Sequence, residues 1–442
     1  MLPEIASSTD DRRRPRASSV RDAHGTTESN TTSSTVPADV RALLLNVFTI
    51  ESETKTPSDD LRRDVQLMTA TGKYVASFTG RLTRDSEEAY ALLDDGLAPL
   101  EYLALFREVG DQQVIHLFQG RAHPQARSWI WNAGLFAVTV LSVLSVGTEM
   151  ALNEMARTDM EQALLLAQNL FGELWRGAPY AISILLILGA HELGHYFAAR
   201  HHKLSVTLPY FIPAPTLIGT FGAFIQLRQP MRNRKVLLDV GAAGPLFGLL
   251  FAIPILMIGL STARVDIITG GLLEGNSFLY ALMKIITFGE FLPNGTYDVF
   301  ANQLSWAGWT GLLITGLNLI PIGQLDGGHI LYALVGERAR LLYAPILIGM
   351  MALVFVTPVW LFWLVLLFFF GRVYATPLDN ITKLDPRRRL IAILGLIVFV
   401  VTFTPIPLSD AIPAPVSVPS GAVSLGLPLV VGLVTLFTRR RR

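Results

Sequence analysis

Apolar residues fall along this chain in long blocks separated by short charged segments. Blocks of this length exceed what a soluble core needs and suit helices that cross a bilayer. The pattern predicts spans at about 128–148, 178–200, 236–260, 304–321, 341–356, 359–375, 389–407 and 423–438. The charges between them alternate in sign. Acids dominate after the first, third and seventh blocks: Glu149, Glu154, Asp159, Glu161 and Glu173, then Asp266, Glu274, Glu290 and Asp298, then Asp410. Arg200 and Lys203, Arg228 to Lys235, Arg338 and Arg340, Arg387 to Arg389 and Arg439 to Arg442 fall on the other side. By the positive-inside rule this predicts about eight spans with both termini cytoplasmic.

The chain ahead of the blocks reads differently. Residues 1–38 are polar, without an apolar period, and predict a disordered tail. No signal peptide is visible, and Asp10, Asp11, Asp22 and Glu28 count against a transit peptide. Residues 40–123 predict a small soluble α+β domain. Leu43 to Phe48 and Tyr74 to Phe78 suit strands. Asp85 and Glu88 resemble a capping box, opening a helix with Ala89, Ala91, Leu92 and Leu97 on its apolar side. Leu103 to Arg107 and Val114 to Phe118 flank Gly110-Asp111, a hairpin signal. His116 sits in apolar alternation and reads as a packed side chain rather than a ligand.

Two apolar stretches do not fit a span. Residues 204–230 hold Pro209, Pro213, Pro215, Gly219 and Gly222, which break helices. Non-helical backbone at membrane depth is tolerated where it lines a protein-walled wet cavity. The stretch therefore predicts a re-entrant, β-like loop or hairpin beside the active site, with Ala223 to Arg228 as a strand. The alternative is an interfacial loop. Residues 276–289, interrupted by Lys284, predict an interfacial helix.

Composition narrows the function classes. Of 442 residues 51% are hydrophobic and 16% charged, and the net charge of +1 gives no field that suggests nucleic acid as a partner. There is no cysteine. That excludes disulfides, thiolate metal sites and cysteine nucleophiles, so any metal must be held by nitrogen and oxygen.

The chemistry concentrates in His191-Glu192-Leu193-Gly194-His195, at the end of an apolar segment. Residues four apart share a helix face, so His191 and His195 can hold one ion together. Glu192, beside that face, can reach a water activated by zinc and take its proton as it attacks a carbonyl. A charge in mid-span costs about 2.5–3.5 kcal/mol, so three polar residues there need partners. They form either a reactive centre or a structural hydrogen-bond network.

A catalytic zinc needs a third protein ligand. The best remaining donor is Asp326, in Asn318-Leu319-Ile320-Pro321-Ile322-Gly323-Gln324-Leu325-Asp326-Gly327-Gly328. Pro321 and the glycines break the helix there and free the backbone to turn inward. His329 is the competing ligand. Asn318 is either a donor to a substrate carbonyl and its oxyanion or a polar contact between helices. His201-His202 read as a cytoplasmic polar collar. Gly241, Gly244 and Gly248 have the spacing of a close helix–helix contact. Asp239 is interfacial or stands behind the ligands.

Together these motifs resemble the site-2 protease family of intramembrane zinc metalloproteases. The resemblance rests on His191 to His195 and on Asn318 to Gly328, with Ala243-Gly244-Pro245 and Gly219-Thr220-Phe221-Gly222 in support. It covers roughly residues 128–400. The small amino-terminal domain and the missing PDZ-like insertion are similar to the cyanobacterial and plastid branch. The resemblance implies Zn2+ held by His191, His195 and Asp326, Glu192 as general base, and transmembrane proteins as substrates. It also implies a multi-pass protein of a cell inner membrane or a plastid membrane. A zinc or other cation transporter, or a membrane binding module with a structural zinc, would use some of the same residues. The Glu beside the His pair and the lack of an inverted repeat disfavour the first, and the second would not depend on Glu192.

Overall fold

The computed structural model describes residues 36–57, 72–121, 123, 128–268 and 271–410. The predicted tail and the eighth predicted span, 423–438, lie outside the described residues.

The first part of the chain builds a four-stranded antiparallel sheet under two helices. Helix α1 (Ala38–Val47) leads into β1 (Phe48–Thr54) and β2 (Lys73–Leu82). Helix α2 (Ser86–Leu97) precedes the hairpin of β3 (Tyr102–Val109) and β4 (Gln112–Gln119). The spatial order is β1-β2-β4-β3. The expected strand at Leu43 to Phe48 is corrected: those residues finish α1, and only Phe48 begins a strand. A six-residue apolar run does not distinguish the two states. The helical period decides it, because Val40, Leu44 and Val47 are the buried positions and pack under the sheet. Asp85 caps α2 by accepting from the Glu87 N–H at 3.0 Å, a contact worth about 1 kcal/mol. Gly110 turns the β3–β4 hairpin at φ +63°. His116 is buried and meets the Ser77 hydroxyl at 2.6 Å.

Apolar helices follow. They are α3 (Ile130–Ala156), the short α4 (Met160–Ala167) and α5 (Ala178–His201). The hairpin β5 (Tyr210–Pro213) and β6 (Thr220–Phe224) separates α5 from α6 (Arg234–Thr262). Four segments among the described residues are long and apolar enough to cross a membrane: Ile130–Ala156, Leu174–His201, Arg234–Thr262 and Asp326–Val356. The predicted spans at 304–321, 359–375 and 389–407 appear as shorter helices. These are α8 (Gln303–Asn318), α11 (Val359–Phe370) and α12 (Pro386–Thr402), once the intervening elements are counted. Helix α8 is buried on nearly every side, as befits a helix at the centre of a bundle.

Between α6 and α8 the chain forms β7 (Arg264–Ile267), β8 (Leu272–Glu274), α7 (Phe278–Phe288) and β9 (Tyr297–Phe300). Strands β7 and β9 pair, and β8 pairs with β10 (Leu408–Asp410). Lys284, which looked like an interruption of an interfacial helix, is fully buried, 3.1 Å from Asp298 and 3.5 Å from Glu274. Two carboxylates explain why a lysine is tolerated there.

After α8 the chain breaks at Pro321 and Gly323 and restarts as α9 (Asp326–Val335), followed by α10 (Tyr343–Val356). Gly323 sits at φ +59° against Gly371, where a Cβ would lie 2.8 Å from the Gly371 Cα. Only glycine fits both demands. This break turns the start of α9 inward and delivers Asp326 to the face of α5.

Candidate metal centre

Helix α5 carries His191 and His195 one turn apart, both buried. Asp326, the first residue of α9, comes to them from another part of the chain. Its Oδ2 lies 3.2 Å from His191 Nε2 and its Oδ1 3.3 Å from His195 Nε2. The two Nε2 atoms are 3.2 Å apart. Four ligand positions around zinc at about 2.0–2.1 Å in a tetrahedron are about 3.3 Å from one another. The two ring nitrogens, and each nitrogen and the carboxylate oxygen that faces it, are 3.2–3.3 Å apart, close to that spacing. The donors are nitrogen and oxygen only, and they leave one position open, so the residues present fit a catalytic zinc.

The imidazoles are oriented from behind. His195 Nδ1 donates to the Val240 carbonyl of α6 at 2.7 Å, which leaves the Nε2 lone pair facing Asp326. Three glycines of α6 make room. A Cβ on Gly244 would lie 2.1 Å from His195 Nε2, and one on Gly248 3.2 Å from His191 Nδ1. A Cβ on Gly241 would lie 2.8 Å from the His329 Cβ. The glycine spacing read as a helix contact is thus also a row of seats for imidazoles.

Glu192 is buried at 5% exposure, one residue after His191, and stands outside the three-donor group. The Ile225 backbone lies close to its carboxylate, so the chain following β6 reaches the site. The hairpin starts earlier than the expected Ala223 to Arg228. Its strand is Thr220–Phe224, paired with Tyr210–Pro213, and only a bridge between Val206 and Leu227 extends it. Asn318, the last residue of α8, has its Nδ2 3.4 Å from His191 Nε2. It therefore faces the donors, not merely a neighbouring helix.

His329 is not among the grouped donors, and its Nδ1 is buried without a hydrogen-bond partner among the described residues. Asp239 accepts two bonds from the Arg388 guanidinium, at 2.9 and 2.7 Å, and meets His202 Nε2 at 2.9 Å. It stands one residue before the Val240 carbonyl that holds His195. Arg388 looked like one of several cytoplasmic cations, and nothing in its sequence neighbourhood marked it as a partner of Asp239.

Two buried histidines and the partly buried Asp326, with an adjoining glutamate, sit among apolar helices of membrane-crossing length, which defines a class: helical proteins with a candidate HExxH metal site. Residues 179–357 match the profile of Peptidase family M50, so this part of the chain is similar to that family. It is 34% identical over 255 residues to the probable zinc metalloprotease EGY2, chloroplastic, of Arabidopsis thaliana, covering 56% of this chain and 45% of the relative. To the protein of the same name in Oryza sativa subsp. indica it is 31% identical over 270 residues, 60% of this chain and 47% of the relative. To the probable zinc metalloprotease EGY1, chloroplastic, of Arabidopsis thaliana it is 32% identical over 236 residues, 52% of this chain and 43% of the relative. The chain thus spans under half the length of these relatives. No solved structure matches it.

Proposed function

We propose that this chain is an intramembrane zinc metalloprotease that hydrolyses peptide bonds of transmembrane proteins within or near the bilayer. The observation that carries the reading is the 3.2–3.3 Å spacing of the His191, His195 and Asp326 donor atoms beside a buried Glu192. His191, His195 and Asp326 would hold the metal. When bound, zinc would supply Lewis acidity to a scissile carbonyl and to the attacking water. Glu192 takes the proton from that water and can return it to the leaving amine. Asn318 Nδ2 donates a hydrogen bond to the carbonyl oxygen as charge develops on it.

A transmembrane helix hides its peptide bonds in its own hydrogen bonds, so the substrate must unwind locally. The β5–β6 hairpin, next to Glu192 through Ile225, offers extended backbone that an unwound segment can pair with. Ala223→Pro is expected to abolish cleavage while one zinc per chain remains bound. Cleavage at the wild-type rate would remove the hairpin from the account.

The division into a 1–38 tail, a 40–123 soluble domain and a 128–438 membrane domain with its core at 178–335 belongs to the same proposal. So do about eight spans, a re-entrant position for the hairpin, and cytoplasmic termini. The setting is a plastid or cell inner membrane, in keeping with the relatives' printed chloroplast location. The test is purified protein with zinc and a single-span substrate carrying a helix-weakening Gly/Asn segment. Cleavage supports the reading. Intact substrate, together with zinc crossing the membrane of liposomes that hold the protein, would favour the transporter.

A further inference from the structure

The segment 376–383, between α11 and α12, touches three parts of the molecule at once. Its backbone extends the soluble sheet. The Phe106 N–H donates to the Leu378 carbonyl at 2.9 Å, and the Asn380 N–H donates to the Phe106 carbonyl at 3.1 Å. Residues 378–380 thus run parallel beside β3. On the other side, the Leu378 and Asp379 N–H groups donate to the Met231 and Arg232 carbonyls, at 2.9 and 2.7 Å, just ahead of α6. Asp379 is fully buried and accepts from the Ser86 hydroxyl of α2 at 2.8 Å. The segment is a strap between the sheet and the membrane helices.

Asn380 is where the strap meets the metal site's scaffold. Its amide oxygen accepts from Arg234 Nε at 2.9 Å. Its amide nitrogen donates to the Tyr332 hydroxyl at 3.0 Å and to Glu337 Oε1 at 3.2 Å. Arg234 opens α6, the helix that presents the Val240 carbonyl and the glycine seats to the histidines. Tyr332 lies on α9, the helix that begins with Asp326. At the end of α9, Gly336 is so close to Arg234 that a Cβ would lie 2.0 Å from the guanidinium. One side-chain amide therefore joins both helices, and it uses its acceptor on one and its donors on the other.

Such a clamp has a clear task. His191 and His195 share one helix, so their mutual distance is local. Asp326 sits on a separate helix that starts from a broken loop, so its distance to the pair depends on how α9 packs against α6 as well as on the close backbone contacts at its start. Helix α9 has 10 residues and is a rod of about 15 Å. Holding its far end against α6 fixes where Asp326 points. Metal sites lose function when such supporting contacts are off by about 1 Å.

We propose that Asn380 is a positioning residue that sets the distance between Asp326 and the His191–His195 pair, and that the strap couples this distance to the soluble sheet. The inference rests on the metal-site reading above. Cobalt(II) tests it, because its visible absorption reports coordination geometry. Full-length protein in detergent would be loaded with cobalt as wild type, Asn380→Asp and Ser86→Ala, with zinc affinity measured by chelator competition. Asn380→Asp keeps the acceptor for Arg234 but removes the donors to Tyr332 and Glu337. The expected result is a changed cobalt band and a loss of about tenfold in zinc affinity, the scale seen when groups behind metal ligands are altered. Ser86→Ala, which loosens only the sheet side, is expected to give a smaller loss in the same direction, and it decides the matter if Asn380→Asp does not fold. A purely structural role would lower the thermal midpoint and leave band and affinity as in wild type, and that outcome overturns the proposal. Wild type that takes up neither cobalt nor zinc would instead overturn the metal-site reading, and the inference with it.

Discussion

Glu192→Gln is expected to keep its zinc and lose its cleavage. Glutamine has the same shape as glutamate, so the local packing is preserved. The carboxylate is not one of the three grouped donors, so metal content should stay at one per chain. What disappears is the acidic side chain next to the donors that can take a proton from the attacking water. General-base catalysis contributes about 10²–10⁴-fold, so the rate should fall by that factor. Parallel measurement of zinc content and of the turnover of a single-span substrate checks both halves. Loss of zinc along with activity would make Glu192 a structural partner of the site, and an unchanged rate would take the base away from it.

Gly244→Ala is expected to do the reverse, destroying metal binding in a protein that still folds. The new Cβ would lie 2.1 Å from His195 Nε2, far inside van der Waals contact. The backbone cannot retreat, because α5 and α6 are already in close contact on this side. A Cβ on Gly194 would lie 2.6 Å from the Ala243 carbonyl oxygen. The side chain that must give way is the His195 ring, and its displaced atom is the proposed ligand atom. Alanine also favours the helix over glycine by about 1 kcal/mol, so stability need not suffer. Zinc affinity should drop by at least about 100-fold, the upper end for disturbing the surroundings of a metal ligand. Gly248→Ala, with a Cβ 3.2 Å from His191 Nδ1, should give a milder loss. The two variants, compared by chelator competition and thermal unfolding, separate a seat for the imidazole from an ordinary helix contact.

These two cases show what the sequence could convey. The His pair and Glu192 were legible because their relation is local, a matter of helical spacing. The sequence preferred Asp326 to His329 as third ligand, although each follows the same helix break. The structure groups Asp326 with the histidines and seats His329 against Gly241, a choice that depends on how α9 meets α6. The spacing of Gly241, Gly244 and Gly248 announced close packing but not what packs there, because small residues look alike whether they face a backbone or an imidazole. The bond from Arg388 to Asp239 joins residues 149 apart in the chain, and composition alone leaves such a cation among its neighbours.

Elsewhere the limits were those of periodicity. Leu43 to Phe48 offered too few residues to separate strand from helix, and the buried positions of α1 settled it. The apolar blocks at 304–321, 359–375 and 389–407 marked helices correctly, but hydropathy does not say how long a helix is before Pro or Gly stops it. Lys284 read as a break in an apolar helix because its partners, Glu274 and Asp298, come from strands on either side of it.

The central claim is that peptide-bond hydrolysis here depends on one zinc held by His191, His195 and Asp326. It is tested most directly by stripping the purified protein of metal with a chelator and titrating zinc back while following cleavage of the single-span substrate. The account predicts no cleavage at zero metal and a linear return of activity that levels off at one zinc per chain. Cleavage that persists in the fully stripped protein would contradict it.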